Sequence, residues 1–244
     1  MVRGFYTLAS GMLTQDRTLN TVSNNIANAN TNGFRAQRLT DKTFGDMVVS
    51  RLDGAGSTPV GSLSLITTVD RGVTDFTQGT ITSTGRTLDF AIKGDGFFAV
   101  QTPNGIAYTR NGSFNLDAQG YLTLNGVGRV LGRNGQPLRP GTDDLTSDGE
   151  GNLSSRGAAV GSVGVFRFAD NAALTVTGEG LYHGGGASAV QQPQLEWKAV
   201  EGSNTDMAAE LTRGIEAQRG LQSCSQALKM YDTVIDKATD IGKA

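Results

Sequence analysis

Residues 4–32 read GFYTLASGMLTQDRTLNTVSNNIANANTN, and their spacing decides the architecture. Apolar side chains fall at Phe5, Leu8, Met12, Leu19, Val22, Ile26 and Ala29, in steps of three and four, with Gln15 filling one slot. Two sets spaced seven apart, one starting at Phe5 and the other at Leu8, form an a/d stripe held for almost four heptads. Leu13 falls outside the stripe, and the remaining faces are Thr, Ser, Asn, Gln, Asp and Arg. A stripe so narrow cannot build a core alone; it suits a partner helix. The run Asn28-Ala29-Asn30-Thr31-Asn32-Gly33 predicts the helix end, because Asn and Gly tolerate the left-handed backbone that closes a helix.

A matching stripe lies near the other end. Leu221, Cys224, Leu228, Tyr231, Ile235 and Ala238 repeat in alternating steps of three and four, with Leu211, Ile215 and Val234 beside them. Ser203 and Asp206, three apart, predict the start of this helix by satisfying the free amides of its first turn. The chain thus divides into an N-terminal coiled-coil helix over 1–34, a linker over 35–60, a β-rich central domain over 61–200 and a C-terminal coiled-coil helix over 201–244.

Composition supports the β assignment for the middle. The 244 residues include 34 Gly and only 18% charged side chains, with a net charge of −2. A near-neutral chain without a Lys/Arg cluster is not expected to bind nucleic acid. Asp53 to Pro59 reads as a mobile connection. Beyond Gly61, short alternating runs come every eight to twelve residues, as in an irregular all-β sandwich or barrel. The strongest, Leu88 to Val100, is broken by Gly94-Asp95-Gly96, a turn or bulge. The pattern Asp-x-x-Gly-x-Leu-x-x-x-Gly occurs twice, from Asp117 and from Asp148, which predicts one turn used twice. The expected fold class is therefore a mainly β central domain flanked by long N- and C-terminal α-helices forming a coiled coil.

Chemistry-bearing residues are sparse. One histidine, His183, stands before three glycines, and one cysteine, Cys224, lies on the apolar stripe. Neither a Ser/His/Asp triad nor a His/Cys metal set is expected from them. Gly94-x-Gly96 and Gly126-x-Gly128 open no predicted helix and so do not read as dinucleotide loops. Asp144, Thr146 and Asp148 only faintly match a calcium loop, since Ser155 occupies the closing position. No catalytic, cofactor-binding or metal residue is assigned, and no cofactor or small-molecule substrate is expected. Met1-Val2-Arg3 before Phe5 to Leu13 imitates a secretory leader, but Thr7, Ser10 and Gly11 interrupt the apolar run, so no cleaved signal is expected.

The segments assembled so far resemble one known family, the rod and hook proteins of the bacterial flagellar basal body. Asn24-Asn25-Ile26-Ala27-Asn28 through Gly33-Phe34-Arg35 is similar to the N-terminal signature of that family. Asp75 to Gly79, Thr84 to Val100 with Gly94, Gly96, Phe97 and Phe98, and Tyr108 to Phe114 are similar to its central signature. Glu201-Gly202-Ser203-Asn204-Thr205-Asp206 resembles the segment opening its C-terminal helix.

The resemblance implies a structural subunit, not an enzyme. Such subunits assemble helically into the drive shaft that carries torque from motor to hook, around the export channel. It implies export through the flagellar type III apparatus. The implied partners are other copies of the chain, other axial proteins and that apparatus. Hook members carry further outer domains for which 244 residues leave no room, so a rod member is indicated, and the short Arg35 to Gly72 stretch leans toward a proximal position. The helix–helix residues expected to pack, within and between subunits, are Phe5, Leu8, Met12, Leu19, Val22 and Ile26 with Leu221, Cys224, Leu228, Tyr231 and Ile235. The Leu88 to Val100 core would carry lateral contacts. Two other readings are a β-rich cell-wall or carbohydrate-binding module, for which Trp197 is the lone large platform, and a flagellum-associated cell-wall hydrolase, which needs two facing carboxylates.

Overall fold

A computed structural model describes residues 2–53, 56–177 and 180–242. Helix α1 (Val2–Ala27) is followed by β1 (Gln37–Asp53), β2 (Gly56–Thr74), β3 (Ile81–Ser83), β4 (Phe90–Ile92) and β5 (Phe97–Thr102). Next come β6 (Gly105–Thr109), β7 (Phe114–Leu116), β8 (Leu122–Leu124), β9 (Gly128–Val130), β10 (Leu145–Ser147) and β11 (Asn152–Ser155). Then β12 (Ala158–Ser162), β13 (Val165–Arg167), β14 (Thr175–Thr177), β15 (Leu181–His183), β16 (Ser188–Ala189), β17 (Leu195–Trp197) and β18 (Ala199–Glu201) precede helix α2 (Met207–Ile241). The chain is therefore a β-rich centre with a helix toward each end. It divides into two compact units: residues 2–27, 37–73 and 206–242 form one, and residues 28–36 and 74–205 the other.

In the helical unit, α1 packs on α2 in antiparallel fashion. A Cβ added at Gly4 would meet the Tyr231 ring, one at Gly11 would meet Cys224 Sγ, and one at Gly214 would meet Val22. Gly220 likewise lies against Gln15, so residue numbers rise along one helix as they fall along the other. The cap of α2 is Asp206, not Ser203: its carboxylate accepts from the amides of Ala208 and Ala209 at 3.0 and 3.2 Å. The helix start thus lies later than the sequence reading placed it. Strands β1 and β2 form a two-stranded sheet of their own, where the sequence reading expected a linker through residue 60. The expected mobile connection from Asp53 to Pro59 falls partly outside the described residues. No described helix is long and apolar enough to cross a membrane.

In the β unit, the largest sheet runs β14-β15-β6-β5-β9-β8-β7, with β13 and β16 attached beside β5. This path is open at both ends, so the sheet does not close into the barrel that the sequence reading offered as one possibility. Strand β5 is apolar on both faces. Phe98 and Val100 join Phe90, Ile92, Phe114 and Leu122 in one core, while Phe97 and Ala99 pack with Tyr108, Phe168 and Tyr182 in another. A period-two strand buried on both faces must read as a continuous apolar run, and that explains Phe97-Phe98-Ala99-Val100. The run Leu195 to Val200 is two strands, broken where Lys198 takes φ +59.

The repeated Asp-x-x-Gly pattern is one turn built twice. Asp117 accepts from the amides of Gln119 and Tyr121 at 2.9 and 2.8 Å, between β7 and β8. Asp148 accepts from those of Glu150 and Asn152 at 3.0 and 2.9 Å, between β10 and β11. Gly120 and Gly151 supply the positive φ (+80 and +79).

The Asn152 side-chain amide, aided by the backbone amides of Asn152, Glu150 and Gly151 and opposed by slight burial, holds the Asp148 carboxyl below the usual aspartate range. A depressed carboxyl contributes stability that is full above its unfolded pKa, about 3.9, and is lost as pH falls through the folded value. Acid unfolding of Asp148→Asn should therefore show a shallower stability loss below pH 4 than the parent, together with lower stability at pH 7. Denaturation midpoints across pH 2–7 measure both.

Candidate assembly site

The helix pair presents the first candidate surface. Its stripe is built by the heptad spacing, but one chain covers it only partly. Of the eleven stripe residues expected to pack, Val22 is buried, while Leu8, Met12, Leu19, Ile26, Leu221, Cys224, Leu228 and Tyr231 are half-buried. Phe5 and Ile235 stay exposed, at 47% and 37%. Small residues meet the partner helix's side chains: Gly4 and Gly11 on α1, Gly214 and Gly220 on α2. Ala217 and Thr14 are buried alongside. Glu210, also buried, pairs with Arg213 at 2.6 Å.

Asn25 does what no apolar stripe could announce. Its side-chain amide donates to Gln37 O at 2.8 Å and its oxygen accepts from Gln37 N at 2.9 Å. It thereby imitates a strand partner, fixing the first residue of β1 to the last turns of α1. Neighbouring Asn24 is exposed.

The β unit contains the second candidate, a buried ionic hub. Glu201 Oε1 accepts from Arg35 at 2.5 Å and from Gly79 N at 2.9 Å, and its Oε2 accepts from Arg110 at 3.2 Å. Glu201 O accepts from Gly33 N at 2.7 Å. All three charged side chains are almost completely buried. Burial pulls the Arg110 guanidinium below its usual range, although Glu201 opposes this, and it pushes the nearby Tyr182 hydroxyl up to about 12. Arg110 also lies 5.3 Å from the centre of the Phe97 ring.

Asn204 completes the junction. Its oxygen accepts from Ala36 N at 2.7 Å, and its amide donates to Asp75 O and Thr77 O at 2.8 and 3.0 Å. Gly33 (φ +70) admits no Cβ, since one would lie 2.3 Å from Asn111 N. The signature residues therefore have separate duties. Gly33 and Phe34 are buried at the junction, Asn28 caps a turn to Thr31 at 3.0 Å, and Ser203 accepts from Thr205 N at 3.1 Å. Gly94 and Gly96 turn the chain into β5, whose Phe97 and Phe98 are core.

Among the described residues no group of three or more His, Cys, Asp and Glu side chains is placed to hold a metal ion. Asp148 spends its carboxylate on its own turn, and Trp197 donates to Thr87 O at 2.8 Å. Cys224 faces Gly11 across the helix pair.

Comparison with known proteins places this fold among structural proteins. Residues 5–35 match the family described as flagella basal body rod protein. Residues 91–166 match the flagellar hook protein FlgE/F/G D1 domain, and residues 198–241 the C-terminal region of the flagellar basal body rod FlgEFG proteins. The chain is 34% identical to the flagellar basal-body rod protein FlgG of Bacillus subtilis, over 99% of both chains. It is 34% identical to the flagellar basal-body rod protein FlgF of Caulobacter vibrioides, over 97% of this chain and 95% of that one. It is also 30% identical, over the full length of both, to the flagellar hook-basal body complex protein FlhO of Bacillus subtilis.

This chain belongs to the flagellar basal-body rod protein family. It is a structural subunit of the bacterial flagellum's basal-body rod, not an enzyme, and it assembles with other flagellar axial proteins.

Two substitutions test these surfaces. A Cβ at Gly11 would sit 3.5 Å from Cys224 Sγ, an ordinary contact, so Gly11→Ala should stabilise the helix pair by about 1 kcal/mol through helix propensity, whereas Gly11→Leu should pry it apart. Helical circular dichroism during urea unfolding distinguishes the two. Glu201→Gln removes the single carboxylate between two buried guanidinium groups and should cost roughly 3–5 kcal/mol in the β unit. Fluorescence of Trp197 during denaturation reads that loss.

Proposed function

We propose that this subunit is a passive torque-carrying element whose helices complete their burial only inside a helical, multi-subunit shaft around an export channel. The observation that carries the reading is where exposed apolar surface lies. Apart from Ile106 and Val73, every exposed large apolar side chain among the described residues is on α1 or α2. A stripe left half-open by its own partner gains by packing with the same stripe on neighbouring copies, in coiled-coil fashion. The β unit, with aromatic cores on both faces of β5, would serve as the rigid outer body and carry lateral contacts through the Leu88 to Val100 region.

On this reading the chain travels through the flagellar type III export apparatus and takes its place in the part of the rod that crosses the periplasm. Gly11 and Gly214 matter here because close helix approach leaves room for the neighbouring helices that such a tube requires.

Removing residues 1–27 should leave a folded β unit, seen as an unchanged near-ultraviolet signal, that no longer polymerises. Sedimentation and negative-stain microscopy of the truncated and full chains decide the matter. Filaments formed by the truncated chain would overturn the proposal.

A further inference from the structure

The two helices are unequal, and α2 is the longer by nine residues. With Gly4 against Tyr231, α1 runs out opposite about residue 233, so the last two turns of α2 overhang by about 12 Å. Two apolar patches lie on α2, one at each end. Met207, Leu211 and Ile215 are exposed near its start; Met230, Val234 and Ile241 are exposed near its finish, at 64%, 61% and 78%.

The patches also face different ways. At about 100° per residue, the first lies roughly 90° to one side of the line facing α1, and the second roughly 110° to the other side. Ile235 continues the α1-facing stripe beyond the end of α1 and remains 37% exposed, so the second patch is continuous with the interface already formed.

We propose that these patches are the two halves of one subunit–subunit contact, and that the occupant of each is the other patch on a second copy of this chain. This rests on the polymerising role argued above and specifies the contact it uses. Both patches are aliphatic or thioether surfaces, and the residues of both are exposed. Two unlike patches on opposite flanks cannot satisfy one another across a two-fold axis without leaving one pair bare. They join head to tail, and a head-to-tail contact that does not close produces an open helical array. The patch centres, near residues 211 and 235, are separated by about 36 Å along the helix. Neighbours whose α2 helices run in the same direction would then be staggered by about that distance.

The test uses full-length chains in a Cys224→Ser background, so that no native thiol competes. Leu211→Cys and Val234→Cys variants are made separately, mixed under conditions where the parent polymerises, and oxidised. A disulfide between the two variants, in excess of either homodimer, is expected. Predominance of a Val234→Cys homodimer would mean a symmetric tip contact and overturn the proposal, as would polymer without the mixed product.

Val234→Asp with Ile241→Asp supplies a second reading. Helical content should be unchanged, while the concentration needed for polymerisation rises at least tenfold. Unaltered polymerisation of that variant overturns the patch pairing while leaving the shaft reading intact. A parent chain that never polymerises overturns both.

Discussion

A single apolar stripe on each of two helices, brought together antiparallel, is the constraint on which the molecule turns. Glycines at 4, 11, 214 and 220 receive the Tyr231, Cys224, Val22 and Gln15 side chains of the partner helix. The partner helix covers Val22 and leaves most of the stripe half open. The apolar surface this leaves exposed on both helices is what the proposed assembly would cover.

The β unit meets a different demand. Residues 28–36 and 201–205, which adjoin the two helices in sequence, are held inside it by Glu201, Arg35, Arg110 and Asn204. Two guanidinium groups share one carboxylate, and that carboxylate also accepts from Gly79 N. Such an arrangement is expensive to desolvate and becomes favourable only when every member is in place. It therefore specifies one arrangement of three distant chain segments more sharply than apolar packing would.

The heptads from Phe5 and from Leu221 were legible because helical periodicity is a local property, repeated often enough to stand above noise. The doubled Asp-x-x-Gly turn was legible for the same reason, since the backbone amides that close each turn on Asp117 and Asp148 lie within four positions of it. The start of α2 was misplaced by three residues because Ser203 and Asp206 are both competent caps, and only the surrounding chain selects Asp206. Strand β1 falls in the stretch read as a linker because Gln37 to Asp53 lacks sustained alternation, whereas most of β2 lies in the region read as β-rich.

Sequence by itself therefore determined the helix at each end, the β character of the middle, the positions of its tight turns and, through resemblance, the family. Tertiary structure alone decided that the helices pair antiparallel through glycines, that the largest sheet stays open, and that Asn25 holds Gln37. It also decided that Glu201 finds Arg35 across 166 positions of chain. The reason is range: periodicity, caps and turns are written in neighbouring residues, whereas ion pairs and helix registers depend on which distant segments the fold brings within a few ångströms, and no local pattern records that distance.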